Sequence, residues 1–502
     1  MNQANMSRLK KYLALVMILF LWLPYRTSAQ PGLGFVPLET PIYEFIDYCI
    51  NSGKFLPDFA LNQPYNFDQD SQLAKTDTKA AGYFHDHWSP RFTAERANFF
   101  LKASDKLRGA QAVNRFRAEG GVFFNSKGIS LVNSTAVDQE YKQDPYFAGD
   151  LAVSDFWLYG RVNEAYVDIQ RDWLQLFLGR TKRNWGPLND YGLILSSHPY
   201  SYDHLLVSLK FNRIKLSLIY APLENLNAYS HQNPDSLLYN CRKYLVGHRL
   251  DVRIRPNLQI ALTEMATYGG LGRDFEMAFM NPLTFYYPIQ RNDKKQMNGF
   301  WALDVFYKPF PNWTFYSQFL IDDIIVNNVP GQDDRSRYPD RFGMHLSVRS
   351  ADLIAVGTNI NLTYTRVWNR TYQSKFTWEN YHYRGLGLGY PRAGCEEVKV
   401  SLSYWGLFPL YFQNKTTFGR YGNVELSDIF PLMKEPFPVP PVQSNWVNHF
   451  TLHYFYRPTL KFLFDVKYRQ KPEHYTNRLE QDSGFVFVVG CEWLLNLPVN
   501  IN

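Results

Sequence analysis

The chain has 502 residues, of which 17% are aromatic, and it carries a formal net charge of +7 with a mean hydropathy of -0.34. After the N-terminal region, no uncharged apolar stretch reaches the roughly 20 residues that a membrane-spanning helix needs, so helical membrane insertion is excluded. Four of the 53 basic residues lie in residues 1–29, where there is no acidic residue. The rest of the chain is close to neutral, and its charge gives no argument for a nucleic acid partner.

Residues 1–29 have the three parts of a secretory signal peptide. A basic segment ending at Lys11 precedes an apolar run, Tyr12–Leu23, which is too short to span a membrane. Small residues ending at Ala29 follow this run. We therefore expect cleavage after Ala29 and export of a mature chain that begins at Gln30.

Residues 30–112 are predicted to form a small periplasmic region of short helices. Thr40 and Pro41 are suited to start a helix, and apolar residues recur from there at helical spacing up to Ile50. A second helix is predicted from Thr93 to Gly109. We expect these helices to pack as a cluster against one end of the domain that follows, with an ordinary helical hairpin of no special role as the alternative.

Residues 113–502 change to a period of two, which predicts β-strands. In Arg249–Arg255 and in Glu397–Tyr404, apolar residues alternate with charged or hydroxyl side chains without interruption. A soluble sandwich also alternates in this way. The long strands, the short turns that alternate with long polar connections, and the export signal favour an all-β, transmembrane antiparallel β-barrel of about 18 strands.

Three stretches are the most distinctive. They are the turn G-R-x-x-x-x-W-G-P at Gly179–Pro187, the run E-x-x-x-x-N-P-L-x-F-Y-Y at Glu276–Tyr287, and the strand end F-L-I-D-D at Phe319–Asp323. In order and spacing they resemble the Wzi-type capsule assembly proteins. The resemblance implies an 18-strand outer-membrane barrel that helps to hold capsular polysaccharide on the cell surface, with no catalytic activity.

One feature departs from many outer-membrane barrels, which end on an aromatic residue that the barrel assembly machinery recognises. Here the last predicted strand, Phe485–Trp493, is followed by a further segment that runs to Asn502. We still expect the assembly machinery and outer-membrane lipid as partners, together with the polysaccharide.

A basic and aromatic turn gives the candidate polysaccharide site. Arg180 and Arg183 can pair with the carboxylates of acidic sugars, and the indole of Trp185 offers a flat apolar face to a sugar ring. A structural alternative stays open, because an arginine and a tryptophan at a strand end can also anchor the barrel at the interface or in the lumen.

Four polar residues are predicted to have structural roles in the lumen; they are Glu276, Asn281, Asp322 and Asp323. The two adjacent aspartates make a poor catalytic pair, because neighbouring residues of a strand point to opposite faces. Pairing with lumen arginine or lysine is the expectation.

No metal or cofactor is expected. His85 and His87 share one face of an extended chain, but no further ligand lies nearby. Widely spaced cysteines indicate neither a disulfide framework nor a zinc site, and we expect each to be structural and buried. They are Cys49, Cys241, Cys395 and Cys491.

The leading functional interpretation is a non-enzymatic outer-membrane protein that binds surface polysaccharide. A porin-like channel is the first alternative, since polar strand faces serve either purpose. An outer-membrane hydrolase is the second, and it lacks a recognisable nucleophile or carboxylate pair.

Overall fold

The computed structural model describes residues 34–66, 76, 78–92, 96–108, 113–126, 128–139, 159–230, 233–323, 340–428, 430–431, 435–470 and 484–500. The predicted signal peptide and the predicted start at Gln30 lie outside these residues. No helix in the described part of the chain is long and apolar enough to cross a membrane.

A closed barrel of 18 antiparallel strands forms the body of the protein, which confirms the predicted fold class. The strands are β1 (Arg96–Arg108), β2 (Val113–Ser126), β3 (Ile129–Asp138), β4 (Tyr159–Gln170), β5 (Leu174–Thr181), β6 (Tyr202–Phe211), β7 (Ile214–Pro222), β8 (Asn233–Arg255), β9 (Leu258–Gly270), β10 (Asn298–Phe310), β11 (Trp313–Asp323), β12 (Arg341–Ala351), β13 (Thr358–Val367), β14 (Cys395–Tyr404), β15 (Leu410–Tyr421), β16 (Gln443–Arg457), β17 (Leu460–Arg469) and β18 (Gly484–Asn500). Each strand pairs with the next, and β18 pairs with β1, where Leu101 lies opposite Leu495.

The two faces of the wall have opposite chemistry. On β8 and β9, Leu250 and Leu262 are exposed on the outer face, whereas Arg249 of β8 and Asp304 of β10 are fully buried on the inner face. An apolar exterior and a polar interior are what a barrel in a lipid bilayer requires.

The N-terminal helices are α1 (Pro41–Asn51) and α2 (Lys79–Phe92). The helix predicted from Pro41 is confirmed. The helix predicted from Thr93 to Gly109 is wrong, because Arg96–Arg108 forms β1. Its outward residues, among them Leu101 and Leu107, alternate with inward ones, as in a strand. A few apolar residues also fall at helical spacing, and they led to the prediction of a helix. The barrel therefore begins before residue 113.

The last strand is also longer than predicted. Residues 494–500, which the sequence pattern placed beyond the final strand, pair with the start of β1, where Pro498 lies opposite Asn98. The proline interrupts the apolar alternation, so the pattern alone ended the strand too early.

Short turns collect at one end of the barrel and long connections at the other. Hairpins such as Pro256–Asn257 and Pro311–Asn312 join neighbouring strands at the short end. Short turns face the periplasm in outer-membrane barrels. Both helices are at this end: Lys308 Nζ donates to the carbonyl of Asn51 at 2.6 Å, and the His87 ring contacts the Pro458 carbonyl. The sequence analysis expected the helices to pack against one end of the barrel. They lie inside its mouth instead.

Candidate functional site

The lumen contains a plug, defined here as residues 34–66, 182–201 and 368–394. The first two segments pair directly, with Asn62 opposite Trp185. The second and third join where the amide of Ser196 donates to the carbonyl of Leu388 at 2.8 Å. Most of the apolar side chains of the plug are buried, so the three segments form one core inside the barrel.

The inner wall holds the plug through polar side chains. Gln318 Nε2 of β11 donates to the Trp185 carbonyl at 3.0 Å, and Gln259 Oε1 of β9 accepts from the Ala60 amide at 2.8 Å. Hydrogen bonds of this kind satisfy backbone groups that would otherwise be buried without partners. The plug is therefore fitted to this wall and not simply placed in an empty lumen.

Buried charges of the plug are paired with the wall. Arg349 Nη1 of β12 lies 2.6 Å from Asp47 Oδ1, and Lys399 Nζ of β14 lies 2.7 Å from Asp190 Oδ1. Burial raises the pKa of Asp190, but the charges of Lys399, His345 and Arg349 outweigh it and hold the pKa below its usual range. The Asp190 carboxylate is thus an ionised partner of the barrel wall.

Two of the three candidate glycan residues belong to the plug. Trp185 is fully buried and lies 5.6 Å from the guanidinium of Arg249. Arg183 is also buried, where its Nε donates to His204 Nε2 at 2.6 Å and its guanidinium lies 4.4 Å from the Phe177 ring. Burial lowers the pKa of Arg183 to about 10. Neither side chain is accessible to an external polymer in this structure, which favours the structural alternative.

The third candidate, Arg180, lies at the end of β5. Its Nη2 is 2.5 Å from Asp203 Oδ2 on the neighbouring strand β6, and about half of the Asp203 side chain is exposed. The strand end therefore carries an accessible charged pair, separate from the buried Arg183 and Trp185.

Glu276 and Asn281 are not in the lumen, so that part of the prediction is wrong. They belong to the outer flap, defined as residues 271–297, which folds back over the outside of β8–β10. The outward face of β9 is apolar near the end of the strand, where the flap begins. There Phe279 of the flap stacks on Tyr268 of β9, with ring centroids 4.6 Å apart. Glu276 pairs with Arg273 and Lys295 at 2.8 and 2.6 Å. The Oδ1 of Asn281 accepts from the Leu283 amide.

A charged residue of the outer wall holds the flap in place. Glu264 of β9 lies two residues after Leu262 and therefore shares its outward face. It is nevertheless only 5% exposed, because the flap covers it. Both carboxylate oxygens accept from the Tyr286 amide at 3.0 Å, and His248 Nε2 lies 3.1 Å away. A carboxylate on a lipid-facing wall is costly unless it is covered and paired.

Asp322 and Asp323 are engaged in structural contacts. Asp322 is buried and accepts from the Tyr372 amide of the plug at 2.8 Å, while Asp323 is about half exposed. Arg341 Nη2 lies 3.4 Å from Asp322 and 3.2 Å from Asp323. These contacts are the arginine pairing that the sequence predicted.

Within the residues that the structure describes, cysteine and metal chemistry add no site. Cys49, Cys241 and Cys395 are free and buried, and Cys491 is partly exposed, so the expected burial holds for three of the four. The described residues contain no cluster of three or more His, Cys, Asp or Glu side chains arranged to hold a metal ion.

Beside the plug lies a cavity of about 540 Å³, between the N-terminal helices and the inner wall of the seam strands. Its acidic lining residues are Glu39, Glu119, Glu164, Asp465 and Glu492. Its basic lining residues are Arg91, Lys102, Lys106, Arg117, Arg161, Lys182 and Lys461. The described lining of the cavity therefore has more basic than acidic side chains.

Sequence analysis missed this cavity. Lys102 and Lys106 lie on β1, which was assigned to a helix, so their common inward face was not visible. The sequence did carry a signal: both β1 and β2 have two basic residues on one face of the strand, and on β2 these are Arg115 and Arg117.

The model of the family described as capsule assembly protein Wzi matches residues 102–405. No curated protein matches in sequence. The structure of Wzi from Escherichia coli, described as a carbohydrate-binding β-barrel of the outer membrane, aligns with a TM-score of 0.61 at 12% identity, covering 93% of this chain and 100% of that one.

Outer-membrane protein OprD of Pseudomonas aeruginosa aligns at 10% identity with a TM-score of 0.43, covering 80% of this chain and 93% of that one. OccK8 of the same organism aligns at 12% identity with a TM-score of 0.45, covering 80% and 98%. The family match spans more than half of the chain and includes all three sequence motifs. The chain therefore belongs to the Wzi family of capsule assembly proteins and is an outer-membrane β-barrel of 18 strands.

Proposed function

We propose that this protein binds surface polysaccharide and helps to retain the capsule on the outer membrane. The observation that carries the proposal is the plug: it occupies the lumen, and its backbone and charges are paired with the barrel wall, which favours a binding role over a transport role. The family and the carbohydrate-binding description of the Escherichia coli protein support the same function.

A strain that lacks the gene tests this proposal. It should make polysaccharide in normal total amount but release more of it into the medium, and the wild-type gene should restore the cell-bound fraction. Equal cell-bound and released fractions with and without the gene would overturn the proposal. Measuring total polysaccharide separates retention from synthesis.

The porin-like alternative makes a different prediction. Three plug segments occupy the lumen and hydrogen-bond to its wall. We therefore infer that purified protein in a planar bilayer gives no stable large-conductance channel. A steady conductance typical of a general porin would favour the transport function.

We also propose that the protein is not an enzyme. The one adjacent carboxylate pair considered for catalysis, Asp322 and Asp323, is bound to Arg341 and to the plug backbone. Incubation of the purified protein with outer-membrane lipid and with surface glycan should release no product. Turnover that depends on either aspartate would contradict this assignment.

The apolar exterior supports a proposal about lipid and assembly partners. We propose that outer-membrane lipid surrounds the apolar outer face, and that the barrel assembly machinery inserts the chain through the β1–β18 seam. Depletion of that machinery should leave the protein unfolded and sensitive to protease. Unchanged yield of the heat-modifiable form after depletion would count against it.

A further inference from the structure

We propose that the cavity beside the plug binds a carboxylate-bearing sugar unit of the retained polysaccharide. This inference rests on the proposed function and adds to it a location and a ligand chemistry. It does not rest on Arg180, Arg183 or Trp185, none of which lines the cavity, although Thr181 and Lys182 of the same turn do.

The cavity has the size of a ligand site. Its volume of about 540 Å³ falls within the roughly 300–1,000 Å³ of sites for small ligands. One side is the inner wall of the barrel and the other is the N-terminal segment from Pro37 to Ile42 with α2. Rigid elements on both sides are suited to hold a sugar in a fixed orientation.

The charge of the wall points to an anion. Lys106 of β1 lies directly opposite Arg115 of β2, and both belong to the inner face. Like charges at directly opposed positions of two strands repel. Within the described residues, Lys106 forms no ion pair with an acidic side chain, so the strand pairing leaves a positive charge on the cavity wall.

The neighbouring ion pairs do not remove this excess. Lys102 and Lys461 share a single carboxylate, Glu492, at 3.0 and 3.4 Å. Glu119, which lies opposite Lys102, is itself paired with Arg117 at 3.1 Å, so these ion pairs supply no carboxylate to Lys106. A ligand carboxylate placed between these groups and Lys106 would gain charge-assisted hydrogen bonds that a neutral sugar cannot make.

Aromatic rings supply the apolar part of the site. The Arg161 guanidinium lies over the Tyr200 ring, 3.2 Å from its centroid, and both residues line the cavity. Trp88 and Tyr83 of α2 line the opposite side. A carboxylate-bearing ring could thus be held by cations at its charged edge and by ring faces along its C–H groups.

The test uses polysaccharide purified from the producing strain and shortened to oligosaccharides, either native or with its carboxyl groups chemically reduced to alcohols. Binding to the purified full-length mature protein is measured by calorimetry. We expect the native form to bind, the reduced form to bind at least about tenfold more weakly, and affinity for the native form to fall with added salt.

Two variants locate the binding. Lys106→Gln and Arg161→Gln should each weaken binding of the native oligosaccharide about tenfold while leaving the reduced form unaffected. Lys294→Gln, which removes an exposed cation of the outer flap, is the matched control and should bind as wild type does. Heat-modifiability on gels verifies that each barrel is folded.

The outcomes separate this inference from the function on which it rests. If native and reduced oligosaccharides bind equally, or if both cavity variants bind as wild type does, the cavity assignment is overturned while polysaccharide binding stands. If wild-type protein binds neither form and the gene deletion does not release polysaccharide, the proposed function itself is wrong.

Discussion

Arg349 and Asp47 are joined inside the barrel by a contact of 2.6 Å, although 302 positions separate them in the sequence. The carboxylate also accepts from the side-chain amides of Asn359 and Asn361 at 2.9 and 3.0 Å. This cluster fastens α1 to β12 and β13. It is a fully buried, charged link between the N-terminal segment and the wall.

Replacing Arg349 by alanine should release α1. The change leaves Asp47 buried without its cation, which costs about 3–5 kcal/mol for a broken buried pair. The readout is the labelling rate of Cys49 in α1, whose pKa burial raises to about 12 and which should be inert in wild type. Cys491→Ser serves as the background, because Cys491 is partly exposed.

The paired change Asp47→Asn with Arg349→Gln is the control for this prediction. It removes both charges together and should label Cys49 more slowly than Arg349→Ala does. Equal labelling in wild type and Arg349→Ala would show that the ion pair does not hold the helix.

A charge in the apolar face of α1 should also loosen the plug. Ile46 is fully buried, so Ile46→Asp loses its apolar burial and places a carboxylate in an apolar contact, at a cost of about 2–4 kcal/mol. Cys49 should then react readily while the barrel remains heat-modifiable. A variant that fails to form any barrel would mean that α1 is needed for assembly itself.

The candidate glycan residues are separated by a comparison of variants. Arg180→Ala breaks only a surface pair, worth less than about 1 kcal/mol, and should leave Cys49 protected. The triple change of Arg180, Arg183 and Trp185 to alanine should keep the barrel but expose Cys49, because two of the three support the plug. If Arg180→Ala alone sheds polysaccharide with Cys49 still protected, Arg180 contacts the glycan.

Alkaline pH should weaken the third plug segment through Glu379. Burial raises the pKa of this carboxyl to about 7, against smaller lowering effects of the Ser374 hydroxyl and Arg273. The carboxyl ionises near 4.5 when the segment is detached, so the packed form is fully favoured below about pH 4.5. That advantage is lost as the pH rises through 7.

Hydrogen exchange at pH 5 and pH 8, corrected for intrinsic rates, measures this effect at residues 374–380. We expect faster opening at pH 8 in wild type and no difference between the two values in Glu379→Gln. A wild-type segment equally protected at both pH values would contradict the prediction.

Removing the Glu264 carboxylate, which lies under the outer flap, should release the flap from the barrel wall. Glu264→Ala leaves the Tyr286 amide and His248 without their acceptor, at about 1–3 kcal/mol. Trypsin should then cut faster after the exposed Arg291 and Lys294. Glu264→Gln keeps one acceptor oxygen and should be cut at an intermediate rate, whereas equal rates in all three proteins would rule out this anchor.

Alternation in sequence was enough to predict strands such as β8 and β14, because a lipid-facing wall imposes a strict period of two. Strand length, the pattern of turns and the export signal then favoured a barrel over a soluble sandwich. Alternation was not enough to predict β1, because some of its apolar residues also fall at helical spacing. It was not enough for the full length of β18 either, because Pro498 interrupts the pattern. Chain ends at a barrel seam are thus the least regular strands.

The site was harder to predict than the fold. The Arg183 and Trp185 motif indicated an important turn, but alternation cannot tell whether a connection folds outward or back into the lumen. The cavity depends on β1, β2 and β16–β18, which are brought together only by closure. Pairing across the seam is a long-range contact, and no local pattern encodes it.

The polar anchors of the plug have a consequence for the time course of folding. Asn51 bonds to Asn359 across 308 positions, and Asp47 to Asn361 across 314. The helix therefore cannot reach its final position until strands synthesised much later have formed, and contacts of such separation are slow to establish. During that interval the apolar face of α1, with Phe45 and Ile46, is open to water. Docking of the N-terminal segment is thus a late step, and until it occurs this helix face adds to the apolar surface through which the exported chain can aggregate.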